Sequence, residues 1–319
     1  MNHHQKWRRA VRGIIASTIV VLNLGTSGLA EGGSTSTCFG RQATLVGSAG
    51  DDELTGTQAQ DVIVARGGND RIRGRGGEDL ICGGAGQDDI EGNDGRDGLS
   101  GDDGNDRING GELSDRIQGG DANDVAIGGT GPDTILGGFG DDLLMGWRDG
   151  DRLVGGLGDD RMKGGPGARD IVGFFEVATW VDVDLVLGVA RGQGNDTFTN
   201  MEDVVVRGSG TASVIAGAGP NYINLAMEEG ATVTTGGGKD HVDGGPGDDV
   251  IDTGDGNDQV RDTVMTMFDD HGGADQVQAG AGNDDVDLTD GVSGNDSVDG
   301  GGDSDSCLAD VGDAIINCE

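Results

Sequence analysis

Residues 83–109 read GGAGQDDIE GNDGRDGLS GDDGNDRIN, three consecutive blocks of nine residues that share one pattern. Each block begins with Gly, carries Gly at its fourth position and Asp at its sixth, and has Ile or Leu at its eighth. Self-similarity at a fixed period predicts a repeat architecture, in which each block forms one structural unit that stacks on its neighbours.

The same register extends from Gly47 to Val172 as fourteen blocks without an insertion or a deletion. Position six is Asp in thirteen blocks, the last block having Arg169 there instead. Position eight is a large apolar residue in thirteen blocks, the last of them Ile171, with Ala126 as the exception. An acidic segment of low complexity would not keep one register over this length. We therefore expect an ordered repeat structure.

Each position of the block has a physical role. Gly at positions one and four permits the positive φ angles and the close backbone approach of a turn over the first six residues. Positions seven to nine are expected to form a short strand, whose period of two turns position eight inward and positions seven and nine outward. One block then makes half a coil, and two blocks close one coil of a flattened solenoid.

The composition predicts that such a solenoid needs a stabilising factor besides its apolar interior in order to fold. The chain has 319 residues, a formal net charge of −37, 67 glycines and only 3% aromatic residues. A narrow stack of Ile and Leu offsets little of the folding entropy, and carboxylates that pile up at coil spacing repel each other. Oxygen donors without thiolate or imidazole favour calcium, whereas magnesium demands a tighter octahedron.

The pattern Gly-Gly-x-Gly-x-Asp-x-apolar-x resembles the RTX, or hemolysin-type, calcium-binding nonapeptide repeat. The resemblance implies a parallel β-roll in which calcium ions lie between adjacent turns, held by Asp carboxylates and turn carbonyls. It also implies a chain that is disordered without calcium and folds at extracellular calcium levels. The candidate calcium ligands are the position-six aspartates Asp52, Asp61, Asp70, Asp79, Asp88, Asp97, Asp106, Asp115, Asp124, Asp133, Asp142, Asp151, Asp160, Asp240, Asp249, Asp258, Asp275, Asp284, Asp296 and Asp305.

The rest of the chain predicts an all-β fold with two repeat blocks separated by a small β spacer module. The period stops after Val172, and the alternation from Val181 to Leu185 indicates a half-buried strand, expected in a β-hairpin packed on the end of the first roll. A small ligand-binding module is the alternative for this segment. Degenerate blocks with Ala212 and Asn221 at position six follow, and a second spacer contains Met265 and Phe268.

The expected boundaries are a signal peptide (1–30), an N-terminal cap (31–46), a first β-roll (47–172), a β spacer module with degenerate repeats (173–234), a second, interrupted β-roll (235–308) and a C-terminal cap (309–319).

The N-terminus predicts export. Basic residues between Lys6 and Arg12 precede an apolar run from Ile14 to Leu24, and small residues lead to an expected cleavage after Ala30. This arrangement is typical of a secretory signal peptide. No other long apolar segment is present, so we expect a secreted protein whose mature chain does not insert into membranes.

Four cysteines in an exported protein predict two disulfides, although three pairings are possible. Separate ends of a solenoid favour the local pairs Cys38–Cys82 and Cys307–Cys318. Strict coiling would hold the first pair two coils apart, so the N-terminal segment is expected to leave the coil as a cap. Free buried thiols are the alternative.

Catalysis finds little support in the sequence, and we expect a protein that is not an enzyme. His241 falls at an outward position seven and His271 in a turn, and no Gly-x-Ser-x-Gly motif occurs.

The negative charge argues against nucleic acid as a partner. We expect a calcium-folded structural or adhesive scaffold that contacts cell-surface or matrix components. The alternatives are a secreted enzyme or toxin-like protein that uses the repeats as a folding aid, and an ice-binding surface, for which only Thr130 stands in the needed turn position.

Six outward positions carry apolar residues where earlier blocks have Arg, Glu or Ser. A contiguous exposed apolar stripe usually marks a contact surface. The spacer module or a second molecule would then cover it, whereas scattered exposed aliphatic residues are equally compatible with the sequence. The six residues are Val125, Ile127, Leu136, Leu143, Met145 and Val154.

Overall fold

The computed structural model describes residues 36–167, 169–261, 273–289 and 294–318. Within these ranges every regular element is a β-strand, so no helix there could cross a membrane. The predicted signal peptide, the spacer residues Met265 and Phe268, and His271 lie outside the described residues. The chain divides into two compact units, Met1–Phe139 and Gly140–Glu319.

Unit 1 opens with a short antiparallel hairpin and continues as parallel strands. Residue Thr37 pairs with Gln42 in the hairpin, which lies before the first coil. The strands are β1 (Thr37–Cys38), β2 (Arg41–Gln42), β3 (Leu45–Val46), β4 (Glu53–Thr55), β5 (Val62–Gly67), β6 (Arg71–Gly76), β7 (Leu80–Ala85), β8 (Asp89–Asp94), β9 (Gly98–Asp103), β10 (Arg107–Glu112), β11 (Arg116–Asp121), β12 (Val125–Thr130) and β13 (Thr134–Phe139).

The coil strands of unit 1 alternate between two parallel sheets. Sheet 1a has the order β3-β5-β7-β9-β11-β13, and sheet 1b has the order β4-β6-β8-β10-β12. Partners lie 18 residues apart, as in the pairs Ile81–Leu99 and Ile90–Ile108. Two nine-residue blocks therefore complete one coil, which confirms the predicted parallel β-roll.

Most strands of unit 1 are six residues long rather than the predicted three. They include positions one to three of the following block, whose backbones also pair with the next coil, as Gly111 does with Gly129. The fold imposes the turn geometry even where position four is not Gly, because Leu113 and Ala122 adopt φ angles of 74° and 85°. Such φ angles are unfavourable for residues with a β-carbon and persist only where the surrounding structure holds them.

Position eight forms the interior of the roll as predicted. Ile63, Ile72, Ile81, Ile90 and Leu99 are fully buried, one above the other within each sheet. The prediction fails at the fourteenth block, where Val172 rather than Ile171 pairs with the inward Leu153. Val172 is fully buried and Ile171 only partly so. The turn that precedes them is one residue longer than the nine-residue register allows.

Unit 2 contains both parallel and antiparallel strands. They are β14 (Leu143–Arg148), β15 (Arg152–Leu157), β16 (Arg161–Lys163), β17 (Ile171–Val177), β18 (Trp180–Asp184), β19 (Val189–Arg191), β20 (Asn195–Thr199), β21 (Asp203–Gly208), β22 (Thr211–Ile215), β23 (Tyr222–Met227), β24 (Ala231–Thr234), β25 (Gly237–Gly238), β26 (His241–Asp243), β27 (Val250–Asp252), β28 (Asp255–Gly256), β29 (Gln259–Arg261), β30 (Gln276–Gln278), β31 (Asp285–Leu288), β32 (Ser297–Asp299), β33 (Ser306–Ala309) and β34 (Ala314–Ile316).

Most strands of unit 2 belong to two sheets, which have more strands than the sheets of unit 1. Sheet 2a has the order β15-β17-β21-β23-β26-β29-β31-β33, and sheet 2b has the order β14-β16-β20-β19-β18-β22-β24-β27-β30-β32-β34. The strands β18, β19 and β20 form an antiparallel meander, and its outer strands pair in parallel with β22 and β16. The predicted spacer strand thus occurs as β18, but the meander continues sheet 2b instead of packing on the end of a roll.

Both predicted disulfides are present. Cys38 bonds Cys82 with 5.7 Å between the Cα atoms, and Cys307 bonds Cys318 with 5.8 Å. The N-terminal hairpin lies off the coil, which brings Cys38 within reach of Cys82 on β7, as the departure from strict coiling predicted. No cysteine is left free.

Candidate metal centres

The predicted position-six aspartates lie at the turns and are almost all removed from solvent. Eighteen of the twenty are buried, each no more than 4% exposed, and Asp52 and Asp61 near the start of the first roll are partly exposed. Carboxylates are seldom buried to this extent without a partner. The partner of each carboxylate oxygen therefore decides what the turns can bind.

One oxygen of each carboxylate is bound to the preceding coil. The backbone N–H of Asp70 donates to Oδ1 of Asp88 at 2.8 Å, and the N–H of Asp88 donates to Oδ1 of Asp106 at 2.8 Å. We call such a series of aspartates, joined at 18-residue steps, an aspartate ladder. Unit 1 has two, formed by Asp52, Asp70, Asp88, Asp106 and Asp124, and by Asp61, Asp79, Asp97, Asp115 and Asp133.

In many of the buried aspartates the second carboxylate oxygen accepts no hydrogen bond from the described residues, whereas Oδ2 of the partly exposed Asp52 and Asp61 accepts backbone N–H groups of Ser48 and Thr57. A buried carboxylate oxygen without a donor loses its hydration free energy and gains nothing in return, unless a cation is bound there. These Oδ2 atoms are the direct structural indication of a metal site. They belong to Asp70, Asp79, Asp88, Asp97, Asp106 and Asp115 in unit 1, and to Asp160, Asp170, Asp240, Asp258, Asp284 and Asp305 in unit 2.

The Oδ2 atom faces a space that only glycine leaves open. A β-carbon built on Gly101, at position one, would collide with Oδ2 of Asp106 and lie 2.7 Å from the carbonyl oxygen of Gly119. A carboxylate from one coil and a carbonyl from the next therefore converge above this glycine. The same arrangement recurs at Gly92 and Gly110. Hard oxygen donors of this kind fit calcium, which accepts six to eight oxygens in a flexible geometry.

Burial makes the ladders difficult to ionise in the absence of a cation. It raises the pKa of Asp88 and Asp97 to about 6, that of Asp106 to about 7 and that of Asp115 to about 8. The backbone N–H that each Oδ1 accepts lowers the pKa, and the charges of neighbouring aspartates raise it further. Desolvation is thus the largest cause, and a bound divalent cation would reverse its effect.

No group of three or more His, Cys, Asp or Glu side chains that could hold a metal ion occurs in the part of the chain that the structure describes. Each turn contributes one position-six carboxylate, and the carboxylates of adjacent coils are separated by the strand spacing. Most ligands at such a site must therefore be backbone carbonyl oxygens, whose positions the two glycines of the block control.

A family model supports the same chemistry. The model, described as the RTX calcium-binding nonapeptide repeat, matches residues 44–67, 55–90, 83–117, 118–153, 148–168, 230–260 and 269–292, more than half of the chain. The chain belongs to the RTX calcium-binding nonapeptide repeat family. Repeats of this family bind calcium ions, and the buried, unpartnered Oδ2 atoms fit that role in this chain. No curated protein matches the chain significantly.

Two RTX turns of unit 2 use aspartates that the sequence interpretation missed. Asp170, not Arg169, takes the sixth position of its turn, because it accepts the N–H of Asp151 at 2.8 Å. Arg169 instead forms an ion pair with Asp203. The sequence contained a signal for this, because Arg169 at position six already broke the pattern. Moving the nine-residue register by one residue at the Pro166 turn would have placed Asp170 at position six.

Asp196 is the second missed aspartate. It accepts the N–H of Asp160 at 3.0 Å although the two residues are 36 positions apart, and burial raises its pKa to about 7. Residues 191–199 read RGQGNDTFT, which has Gly, Gly, Asp and an inward apolar Phe198 at repeat positions two, four, six and eight. A repeat that departs only at position one was thus hidden inside the segment predicted as a spacer.

The remaining predicted ligands of unit 2 form two further ladders. One joins Asp240, Asp258, Asp284 and Asp305, and the other joins Asp249, Asp275 and Asp296 and ends at Asp313, which the prediction did not include. At the degenerate blocks, Asn221 donates its N–H to Asp240 and Ala231 donates to Asp249. Neither Asn221 nor Ala231 supplies a carboxylate, so these blocks interrupt the series of candidate ligands.

Two other sequence features have structural explanations. His241 lies at an outward position on β26, as predicted, where its ring stacks on Tyr222 with 5.0 Å between centroids and its Nδ1 lies 2.9 Å from Oε1 of Gln259. The six apolar residues do not form one stripe. Val125 and Ile127 lie on sheet 1b, whereas Leu136 lies on sheet 1a.

The other three residues of the predicted stripe are divided in the same way within unit 2. Leu143 and Met145 lie on sheet 2b, and Val154 lies on sheet 2a. Val154 is only 8% exposed, and its Cγ2 atom lies beside Gly173, on which Phe175 also packs. Successive half-coils lie on different sheets, so apolar residues of consecutive blocks do not share one face.

Proposed function

We propose that this calcium-binding repeat protein acts outside the cell as a structural or adhesive scaffold whose rolls fold when calcium fills the aspartate ladders. The observation that carries the proposal is the repeated, buried Oδ2 atom without a hydrogen-bond donor. A fold that contains so many such atoms is unfavourable without cations and favourable with them. Calcium would therefore decide whether the protein is ordered.

Each part of the repeat prepares the calcium site. The N–H donated to Oδ1 fixes the carboxylate and directs Oδ2 into the space above the position-one glycine. The stacked apolar side chains at position eight hold consecutive turns at strand spacing. Calcium supplies the positive charge that offsets the repulsion between carboxylates of neighbouring coils.

Three observations support an extracellular place for this scaffold. The N-terminal sequence resembles a signal peptide, both disulfides pair all four cysteines, and the ladders require a cation that is abundant outside cells. Disulfides persist mainly in oxidising compartments. Cell-surface or matrix components are the proposed partners, and no catalytic role is assigned.

The test is a calcium titration of the exported chain, followed by far-UV circular dichroism, with magnesium as the matched control. We expect a transition from coil to β-structure with calcium at roughly 10⁻⁴ to 10⁻³ M, as for extracellular modules, and a much weaker response to magnesium. A β-spectrum that a chelator leaves unchanged would contradict the proposal, because the core and disulfides would then suffice for folding.

A further inference from the structure

Two arginines and one phenylalanine form a cluster on the outer face of sheet 2a. Arg152, Phe175 and Arg207 lie on the neighbouring strands β15, β17 and β21. Phe174 pairs with Val206 and Val177 with Gly208, so a bulge places Phe175 and the exposed Glu176 opposite Arg207. The guanidinium carbon of Arg152 lies 5.1 Å from the centre of the Phe175 ring. The buried neighbours Leu153, Phe174 and Val206 face the interior, so the three cluster residues face outward.

The cluster is held in place by its surroundings. A β-carbon on Gly173 would lie 3.0 Å from both the Phe175 ring and Val154, so the glycine makes room for the ring to lie across the sheet. Arg152 is in turn held over that ring by a cation–π contact. On the other side, Nη2 of Arg207 lies 3.5 Å from Oδ1 of Asn224. The ring is thus fixed, and both guanidinium groups have defined positions.

Neither of the two arginines forms an ion pair in the described part of the chain. Among the described residues, neither guanidinium has a carboxylate within 4.0 Å, whereas Arg71, Arg73 and Arg169 each do. Arg152 is half-buried and Arg207 is exposed, and the two guanidinium groups are near enough for their charges to interact. Two neighbouring cations that repel each other, in a chain with a net charge of −37, form an unusual surface feature.

We propose that Arg152 and Arg207 form a binding site for an oxyanion, the sulfate or carboxylate group of an anionic ligand. A guanidinium group is planar and presents paired N–H donors that match the geometry of such groups. An anion that contacts both arginines would also remove their mutual repulsion. The rest of the acidic surface repels anions, so binding of an anion would report on this cluster rather than on general attraction.

The experiment measures binding to the calcium-loaded full chain by fluorescence anisotropy and calorimetry. The probes are labelled dextran sulfate and labelled carboxymethyl dextran, with unmodified dextran as the neutral control and sodium sulfate as the free ion, all at constant ionic strength. The decisive variant is Arg207→Gln, because Arg207 is exposed. Arg152→Gln is the second variant. Arg116→Gln is the matched control, because Arg116 is an exposed arginine on β11 at the same repeat position as Arg152.

We expect at least one anionic probe to bind, and its affinity to fall about tenfold or more in Arg207→Gln while Arg116→Gln remains unchanged. Sodium sulfate that binds with the same dependence on Arg207 would identify a free ion as sufficient, and binding of the polymers alone would identify a polymer-borne group. The site would be ruled out if no anionic probe bound, or if Arg207→Gln and Arg116→Gln bound equally well. Circular dichroism of each variant with calcium reports folding separately, so failure of the scaffold proposal would be distinguishable.

Discussion

The two oxygens of a position-six carboxylate have different environments, and this difference is the basis of the site. In Asp106, Oδ1 accepts the N–H of Asp88, whereas Oδ2 is buried without a donor. The first oxygen connects the coils and orients the side chain. The second is available to a cation. Asp at position six therefore combines a structural hydrogen bond with a proposed metal ligand, and neither Glu nor Asn could do both with the same geometry and charge.

Asp106→Asn tests this division of roles. The amide can still accept the N–H of Asp88 through its oxygen, but it replaces the charged Oδ2 with an uncharged group. We expect the calcium concentration at the midpoint of folding to rise several-fold, because a loss of about 1.5–3 kcal/mol at one site is shared among the calcium ions bound in the same folding transition. The measurement is a calcium titration by circular dichroism.

Asp103→Asn, in the same turn, is the control for Asp106→Asn. The side chain of Asp103 is exposed, so removal of its charge removes a repulsion that raises the pKa of Asp106 but no buried oxygen. Equal shifts in the two variants would mean that the total negative charge, and not the buried Oδ2, controls the response to calcium.

At the scale of the element, the turn depends on glycine at position one, where the carboxylate and a carbonyl of the next coil converge. At Gly110 a β-carbon would enter the space occupied by Oδ2 of Asp115 and the carbonyl oxygen of Gly128. Backbone atoms cannot move aside as a flexible side chain can. The coil nevertheless accommodates inserted strands, because β20, the last strand of the meander, carries Asp196 and pairs in parallel with β16.

Gly110→Ala is expected to destabilise the calcium-loaded protein by roughly 2 kcal/mol or more and to lower the number of bound calcium ions, because the added methyl group overpacks the turn. The matched control is Gly50→Ala, at position four of the first block, where a β-carbon would meet nothing within 4 Å. Urea denaturation and calcium stoichiometry are the measurements. A similar loss of stability in both variants would show that the loss comes from the removal of glycine's backbone flexibility and not from the filled space above Gly110.

For the whole molecule, the ladders couple folding to protons as well as to calcium. The pKa of several ladder aspartates is raised to between about 6 and about 8 in the folded state, chiefly by burial, from an ordinary value of about 3.9. The folded protein thus holds more protons than the unfolded chain over this range. Without calcium, its stability is highest below about pH 4 and falls as the pH rises through about 6 to 8.

Calcium must displace these protons, so we expect its apparent affinity to increase with pH over the same range. Titrations at pH 5.5 and pH 8.0, at constant ionic strength, should give a higher calcium midpoint at the lower pH. Calorimetry in buffers of different ionisation enthalpy should detect proton release on binding. A calcium midpoint independent of pH, without proton release, would show that the ladder carboxylates are already ionised before calcium binds.

The repeat, its inward apolar position and the position-six aspartates can all be read from the amino-acid sequence, which also favoured the two local disulfide pairs that the structure confirms. A nine-residue register expresses local requirements, namely glycine for the turn and alternation for the strand, which can be read without knowledge of distant contacts. Only the tertiary structure identified Asp170 and Asp196, because an inserted residue or strand breaks the count along the chain while backbone pairing between coils continues. The cluster of Arg152, Phe175 and Arg207 depends on the same pairing, since residues more than twenty positions apart meet only when their strands become neighbours in one sheet.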